Sequence, residues 1–223
     1  MKRLSLCLTV LFTLLASSAL FAGQGGTFPA AGIDLVTHEL KIGLYDIADD
    51  GSDGEMLEEL TFKGRMLLER TDPYTNADGF RQIDFVVKEW EAYSYSKVLD
   101  TLVTYSLNQG QPQRLSHITS QFRDRDFPAR FYFAVRFDAI AFGERFFEGH
   151  EGAPVDAEFM EVPPSGNRRT SPTIWGFEDA RIEMDHPQHG RLRFIPHNCN
   201  DTSGETLAVF GRDVGERTLP LSR

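Results

Sequence analysis

Four histidine and cysteine side chains in the last third of the sequence could bind a transition metal. They are His186, His189, His197 and Cys199. Imidazole and thiolate are donors that suit zinc or copper, and four of them could complete a tetrahedral site. Their spacing matches no compact metal motif, because a strand rise of about 3.3 Å per residue would separate the first pair from the second. We therefore expect no cofactor, with zinc or copper at these residues as the alternative.

An acidic segment nearer the start of the chain could bind calcium. Its carboxylates belong to Asp46, Asp49, Asp50, Asp53 and Glu55. Calcium requires several oxygen ligands that a tight turn brings together. Alignment with the EF-hand pattern places Ala48 at a ligand position and Leu57 where the bidentate glutamate belongs. We therefore expect a solvated turn between strands, with calcium binding as the alternative.

A third group combines aromatic side chains with a carboxylate. In a strand, Glu91, Tyr93 and Tyr95 share one face. Tyrosine and tryptophan offer a large apolar area with a polar tip, which suits them to recognition surfaces. We expect a ligand-binding surface here that includes Trp90, with Trp175 as a second anchor. The alternative is that one face packs into the core and the tyrosines form half-covered cross-strand pairs.

Complete catalytic motifs are absent from the sequence. His38 and His150 are each followed by glutamate, as in the helical zinc-protease motif, but neither has a second histidine one turn later. There is no G-x-S-x-G nucleophile motif, P-loop or dinucleotide-binding glycine pattern. Catalytic residues therefore stay unassigned. Because the chain carries 33 acidic residues, a carboxylate-based hydrolase remains an alternative to a binding protein.

Apolar residues recur at every second position through much of the chain, which is typical of strands with one buried face. The clearest runs are 60–68, 83–87 and 131–137, and a shorter run covers 191–195. Segments rich in Gly, Pro, Asn and Asp separate them, and 185–190 has the composition of a hairpin turn. The pattern predicts an all-β, antiparallel β-sandwich, with a barrel as the alternative.

Eight phenylalanines lie between positions 122 and 147. Phenylalanine has no polar group, so this density predicts a Phe-rich core, with an apolar ligand cavity as the alternative. Helical structure is expected to be limited to short turns. Residues 55–60 could form such a turn, and residues 97–103 fit either a helix or a strand.

The chain is expected to fold as one domain, because it contains no internal repeat and no long linker. We place the β-sandwich domain at residues 35–210. A flexible lead-in rich in glycine and alanine is expected at 23–34, and a C-terminal tail at 211–223.

The first 22 residues have the layout of a secretory signal peptide. Lys2 and Arg3 precede a short apolar stretch, and small residues follow it. Cleavage would also remove Cys7 and leave Cys199 as the single thiol, which excludes an internal disulfide in the mature chain. We therefore expect a secreted or periplasmic protein, with the bacterial envelope favoured.

The acidic charge limits the partners of the mature chain. The whole sequence has a formal net charge of −10. Removal of Lys2 and Arg3 with the signal peptide changes this to −12. Nucleic acid is not an expected partner, because its recognition usually requires a basic surface. No membrane span is expected after cleavage, because the apolar stretch is within the signal peptide.

These observations favour a non-catalytic binding module for a carbohydrate, a protein or an apolar ligand. The alternative is a secreted hydrolase that depends on a metal or on carboxylates. A third reading is an assembly component whose strand edges pair with other chains.

Overall fold

The computed structural model describes residues 26–164, 168–170 and 182–210. Within these ranges the chain forms eleven strands and no helix. The strands are β1 (Gly32–Ile47), β2 (Asp53–Arg70), β3 (Tyr74–Thr75), β4 (Arg81–Ser96), β5 (Thr101–Leu107), β6 (Ser116–Ser120), β7 (Ala129–Ala141), β8 (Glu144–Phe159), β9 (Arg168–Thr170), β10 (Ile182–His186) and β11 (Gly190–Val209). A helix with the length and apolar character needed to cross a membrane does not occur in the described part of the chain.

Antiparallel pairings join these strands into one sheet. β11, β1, β2 and β4 lie side by side, and both β9 and β10 pair with β11. β4 pairs with β6 near its start and with β5 near its end, and β7 pairs with both. β8 continues the sheet beyond β7. The first strand therefore lies between the second strand and the last.

The inner face of the sheet is apolar, as the two-residue alternation predicts. Its buried side chains include Leu60, Phe62, Met66, Leu68, Ile83, Phe85, Val87, Phe131, Phe133, Val135 and Phe137. Their rings pack in pairs, with 4.8 Å between the centroids of Phe62 and Tyr105 and 5.3 Å between those of Phe85 and Phe131. The prediction of an all-β antiparallel fold with a Phe-rich core is confirmed.

The sheet curves until strands far apart in its order meet. Phe146 of β8 stacks on Phe194 of β11, with 5.4 Å between the ring centroids. Cavities beside Phe131 and beside Trp90 measure about 20 and 10 Å³. Each has room for about one water molecule, so the core leaves no space for an apolar ligand at these two positions.

Residues 55–60 do not form the helical turn that their local sequence suggested. They belong to β2 and pair with β1, where Met56 faces Tyr45 and Glu58 faces Leu44. Cross-strand pairing has therefore overridden a weak local preference. The ambiguous segment 97–103 divides into a turn and the start of β5.

The ordered sheet begins inside the range expected to be a flexible lead-in. β1 starts at Gly32, and Phe28 ahead of it is buried against Phe127, with ring centroids 5.0 Å apart. An aromatic side chain that packs in the core fixes the chain leading into the first strand. The predicted signal peptide and C-terminal tail lie outside the described residues.

A buried ion pair joins β1 to β2. Arg70 contacts the carboxylate of Asp34, and both side chains are almost fully buried. The Thr206 hydroxyl on β11 donates to Asp34 Oδ1 at 2.8 Å, and Arg70 Nε donates to the Ala30 carbonyl at 2.8 Å. This buried polar cluster therefore links β1, β2, β11 and the segment that precedes β1.

Candidate functional site

A groove of about 630 Å³ crosses the outer face of the sheet. It spans the neighbouring strands β11, β1, β2 and β4. Its lining residues are Thr37, His38, Glu39, Lys63, Gly64, Arg65, Glu91, Tyr93 and Thr202. Backbone pairing fixes the positions of these residues, because all nine lie on strands.

Strand register arranges the outward side chains of the groove in two rows. The first row contains Glu39, Lys63 and Tyr93, and the second contains Thr37, Arg65 and Glu91. Facing residues on antiparallel strands have Cα atoms about 4.5–5.5 Å apart. Each row therefore places side chains from β1, β2 and β4 within reach of one small ligand.

Gly64 separates Lys63 from Arg65 on β2, and neighbouring atoms fill the space that a side chain at position 64 would need. A Cβ atom there would lie 2.5 Å from Ala92 Cβ and 2.6 Å from His38 Nε2. His38 occupies this space because Trp90 holds it, with Trp90 Nε1 donating to His38 Nε2 at 3.1 Å. An indole N–H can only donate, so Nε2 is the acceptor. The base of the groove thus rests on a packed aromatic layer.

Four charged side chains line this groove without partners in the described part of the chain. Glu39, Lys63, Arg65 and Glu91 make no side-chain hydrogen bond or ion pair there. Other lysines on the same outer face are paired: Lys41 with Glu59 at 3.1 Å and Lys88 with Glu69 at 3.0 Å. The charges in the groove are therefore available to a ligand.

Tyr93 and Tyr95 are on the outer face of β4, with 54% and 55% of their surface exposed. The Tyr95 hydroxyl donates to the Asp100 carboxylate, and this bond raises the pKa of Tyr95. Tyr93 lines the groove, and Glu91 lies beside it on the same face.

Trp90 requires a correction to the predicted ligand surface. Only 4% of it is exposed, and its ring packs on Phe137 with 5.6 Å between the centroids. The alternation of β4 directs Trp90 inward, so it supports the groove from the core and is not part of the exposed surface. Trp175 lies outside the described residues.

The four residues proposed for zinc or copper are not brought together. His186 and His189 stack at the β10–β11 turn, with ring centroids 4.9 Å apart. His197 lies seven residues beyond Gly190 on β11, about 23 Å along a strand, and Cys199 is buried in the core. In the described ranges, no three His, Cys, Asp or Glu side chains are placed to share a metal ion.

The acidic residues proposed for calcium have separate surroundings. Asp50 accepts hydrogen bonds from the Ser52 hydroxyl at 2.6 Å and the Ser52 backbone N–H at 2.9 Å, and these lower its pKa. Asp53 pairs with Arg193 on β11. Asp46 lies against Gly54, while Asp49 and Glu55 are exposed. The turn is built from local hydrogen bonds and an ion pair, as a connection between strands requires.

His197 belongs instead to a hydrogen-bonded chain on the outer face. The Tyr45 hydroxyl and His197 Nε2 are 3.0 Å apart, and His197 Nδ1 is 3.3 Å from Glu59 Oε2. Lys41 bonds the other oxygen of Glu59. Hydrogen bonds first from Lys41 and then from His197 lower the pKa of Glu59. A carboxylate, an imidazole and a phenol are thus linked in sequence.

A β-bulge and a glycine make this chain possible. The register between β1 and β11 shifts between Lys41 and Ile42, which leaves His197 without a facing residue. Its ring lies over Gly43, where an added Cβ would be 2.7 Å from His197 Cε1. Without a side chain at position 43, the imidazole can cross β1 and reach Glu59 on β2.

Sequence reasoning identified Glu91 and Tyr93 in the groove but missed its other half. Nothing in the sequence distinguishes Glu39, Lys63 and Arg65, because only the strand register shows that they lie beside Glu91 and Tyr93. Glycine within an alternating strand pattern was the available signal, because such a glycine often marks a close approach of other groups. Gly43 and Gly64 both have this role.

Comparisons with known proteins do not place the chain in a family. No family model matches it, and no curated protein matches it in sequence. One solved structure that resembles it is DynF from the dynemicin biosynthesis pathway of Micromonospora chersina, which is 12% identical with a TM-score of 0.48. The match covers 79% of this chain and 82% of that chain. Similarity of this extent assigns neither a family nor a function.

Proposed function

We propose that this protein is a non-catalytic binding module that takes a carbohydrate in the outer-face groove. One observation carries the proposal: four charged side chains that have no partner among the described residues lie beside the exposed ring of Tyr93 in a concave site. Charged groups that make no internal contacts have hydrogen-bonding capacity left for a ligand.

The chemistry of the groove favours a carbohydrate over the other ligand classes. A sugar ring presents C–H groups on its face, which pack on an aromatic ring, and hydroxyl groups at its edge. The ring of Tyr93 can pack on the C–H groups, and the carboxylates of Glu39 and Glu91 can accept hydrogen bonds from the hydroxyl groups. An apolar ligand would need a largely apolar pocket, and this groove is lined mainly by polar side chains. The groove is also concave, whereas a flat surface would suit a protein partner better.

Export is part of the proposal and rests on the signal-like layout of residues 1–22. Cell fractionation with N-terminal sequencing tests it. The expected mature protein starts near residue 23 and is recovered outside the cytoplasm. Recovery of the full-length chain from the cytosol would contradict this part alone.

Tyr93→Ala tests the groove. We expect binding to a saccharide selected from a glycan array to weaken about 5- to 30-fold, the loss typical of an aromatic anchor worth 1–2 kcal/mol. Titration calorimetry of the intact protein and the variant gives the measurement.

Tyr74→Ala is the matched control, because Tyr74 is an exposed tyrosine that pairs with the opposite end of β4. This variant should bind the same saccharide with an affinity within about twofold of the parent protein. That is well below a tenfold change, which corresponds to about 1.4 kcal/mol. Equal losses in both variants, or no saccharide bound by the parent protein, would refute the proposal.

A carboxylate-based hydrolase is the second candidate, and the chain formed by Tyr45, His197 and Glu59 favours it. Glu59 can orient the imidazole while Nε2 faces the phenol, an arrangement suited to proton transfer. If the chain is catalytic, the intact protein hydrolyses a substrate from a glycoside and ester panel and Glu59→Gln lowers kcat. Absence of turnover across the panel would leave the binding module as the better account.

A further inference from the structure

We propose that the groove recognises an acidic saccharide, with a uronic acid carboxylate held between Lys63 and Arg65. The inference rests on the proposed carbohydrate-binding function and names the class of ligand. It is carried by the distribution of charge across the strands that form the groove.

The central strand of the groove supplies the cations. Lys63 and Arg65 are two residues apart on the outer face of β2, which places them about 6.6 Å apart along the strand. Both are exposed, and Gly64 between them contributes no side chain. The two cationic groups can therefore converge above the glycine on a single anion.

The acids of the groove lie on the flanking strands. Glu39 on β1 faces Lys63, and Glu91 on β4 faces Arg65. No oxygen of either glutamate is within ion-pair distance of either cation, although two diagonal pairs on the same face, Lys41 with Glu59 and Lys88 with Glu69, do form ion pairs. The cations thus retain their donors in a chain whose net charge is −10.

A saccharide carboxylate matches this pattern better than a neutral sugar does. Arginine can donate two parallel N–H bonds to a carboxylate, and lysine adds a compact charge. The flanking glutamates can accept hydrogen bonds from hydroxyl groups on the same sugar. They would also repel anionic groups at the sides of the groove, which restricts the anion to the middle.

Tyr93 gives the ring a defined position in this arrangement. It faces Lys63 from β4, on the side opposite Glu39. A uronic acid ring stacked on Tyr93 would therefore direct its carboxylate toward β2, where the cations lie. Aromatic contact and charge recognition would then act on one sugar unit.

The experiment compares each acidic saccharide with its own uncharged form. Hexamers of galacturonate, mannuronate and glucuronate are titrated into the intact protein, each as the free acid and as the full methyl ester. We expect at least one free acid to bind tenfold or more tightly than its ester, a preference of about 1.4 kcal/mol. Lys63→Gln and Arg65→Gln should each reduce that preference to about threefold or less.

Lys88→Gln is the control, because it removes the same charge from the same outer face but from a lysine paired with Glu69. It should keep the preference for the free acid. Lys63 and Arg65 are both exposed, so their variants should fold, and unchanged thermal unfolding verifies this.

The possible outcomes separate the inference from the function on which it rests. If neutral saccharides bind but no free acid is preferred, the inference fails and the carbohydrate-binding function stands. If nothing binds, both fail. If inorganic phosphate alone displaces the acidic hexamer with similar affinity, the groove is a general anion site and the saccharide class is wrong.

Discussion

Gly64 shows how one residue on the inner face shapes a site on the outer face. Its lack of a side chain leaves space for His38, which Trp90 holds by a hydrogen bond. Lys63 and Arg65 on either side then project outward. A packed interior transmits small changes in volume, so the inner face is expected to control the shape of the groove.

Gly64→Ala should destabilise the protein by about 1–3 kcal/mol, the range for inserting a methyl group into a filled space. The new Cβ would meet Ala92 Cβ and the Glu91 carbonyl oxygen, neither of which can move without the strand. Urea unfolding of the variant measures the loss.

Gly54→Ala is a suitable control, because the three atoms nearest to its added Cβ belong to the carboxylate of Asp46, a side-chain group that can rotate away. Its effect should stay within about 0.5 kcal/mol, as at most surface positions. Equal losses in the two variants would show that backbone propensity, and not packing against His38, determines the cost.

Single residues of the site could be predicted from the sequence only in part. Alternation alone placed Tyr93 and Tyr95 on one face, and both are exposed. Trp90 was assigned to the ligand surface because tryptophan suits recognition surfaces, but alternation from Tyr93 already directs it inward. The role of His197 depends on a bulge, which no spacing in the sequence reveals.

Among the strands, the buried pair of Asp34 and Arg70 gives β1 and β2 a specific polar contact. An isolated charge in the core is costly, and removing one partner leaves the other uncompensated. Thr206 on β11 shares the contact. The pair therefore helps to define how these three strands align.

Asp34→Ala should lower the free energy of unfolding by about 3–5 kcal/mol, the usual cost of breaking a buried ion pair. Arg70 would remain in the core with its charge unmatched. Chemical denaturation with guanidinium reports the change in stability.

Glu69→Gln provides the comparison, because it breaks an exposed ion pair with Lys88 and should cost about 0–1 kcal/mol. A double variant, Asp34→Leu with Arg70→Leu, should recover most of the stability lost in Asp34→Ala. Failure of the double variant to recover would indicate that the hydrogen bond to Thr206, and not the unmatched charge, dominates.

Most strands could be predicted from the two-residue alternation, but segments without a clear alternation could not. The runs at 60–68, 83–87 and 131–137 all lie within strands, and the hairpin turn at 185–190 joins β10 to β11. Residues 55–60, which could have formed a helical turn, belong to a strand because they pair with β1, and their own composition does not reveal that pairing. Strand pairs are long-range features, so local composition cannot specify them.

Over the whole molecule, acidic residues outnumber basic ones, and several acids are held in ion pairs. Arg193 and then Arg191 lower the pKa of Glu183 through hydrogen bonds of 2.8–3.0 Å. A carboxyl group with a lowered pKa in the folded state stabilises that state above its ordinary pKa. The contribution disappears as the pH falls through the folded-state value.

Stability should therefore decrease as the pH is lowered below about 4.5, the ordinary pKa of a glutamate. Glu183→Gln should show a smaller decrease than the parent protein, because it has already lost the titrating group. Thermal unfolding between pH 6 and pH 3 measures both proteins.

Glu55→Gln changes an exposed acid outside the ion pairs described here and should follow the parent protein through this range. A parallel decline in all three proteins would mean that the pairing of Glu183 contributes nothing to acid sensitivity.

The fold class could be predicted from the sequence, but the order of the strands in the sheet could not. Two-residue alternation and turn composition fix the class because both are local. The position of β1 between β2 and β11 depends on residues about 160 positions apart, such as Leu40 and Cys199. The groove also depends on this long-range pairing, because Thr37 of β1 and Thr202 of β11 both line it and are 165 residues apart in the sequence.

That same placement of β1 bears on how the protein is made. One flank of β1 stays open until the ribosome has released β11, so the sheet cannot be completed on a partly synthesised chain. Topologies that pair strands so far apart in the sequence fold slowly, since they must close a very large loop. For a polypeptide threaded through a translocation channel, which we propose for this one, the sheet would be completed only after β11 has passed through the channel.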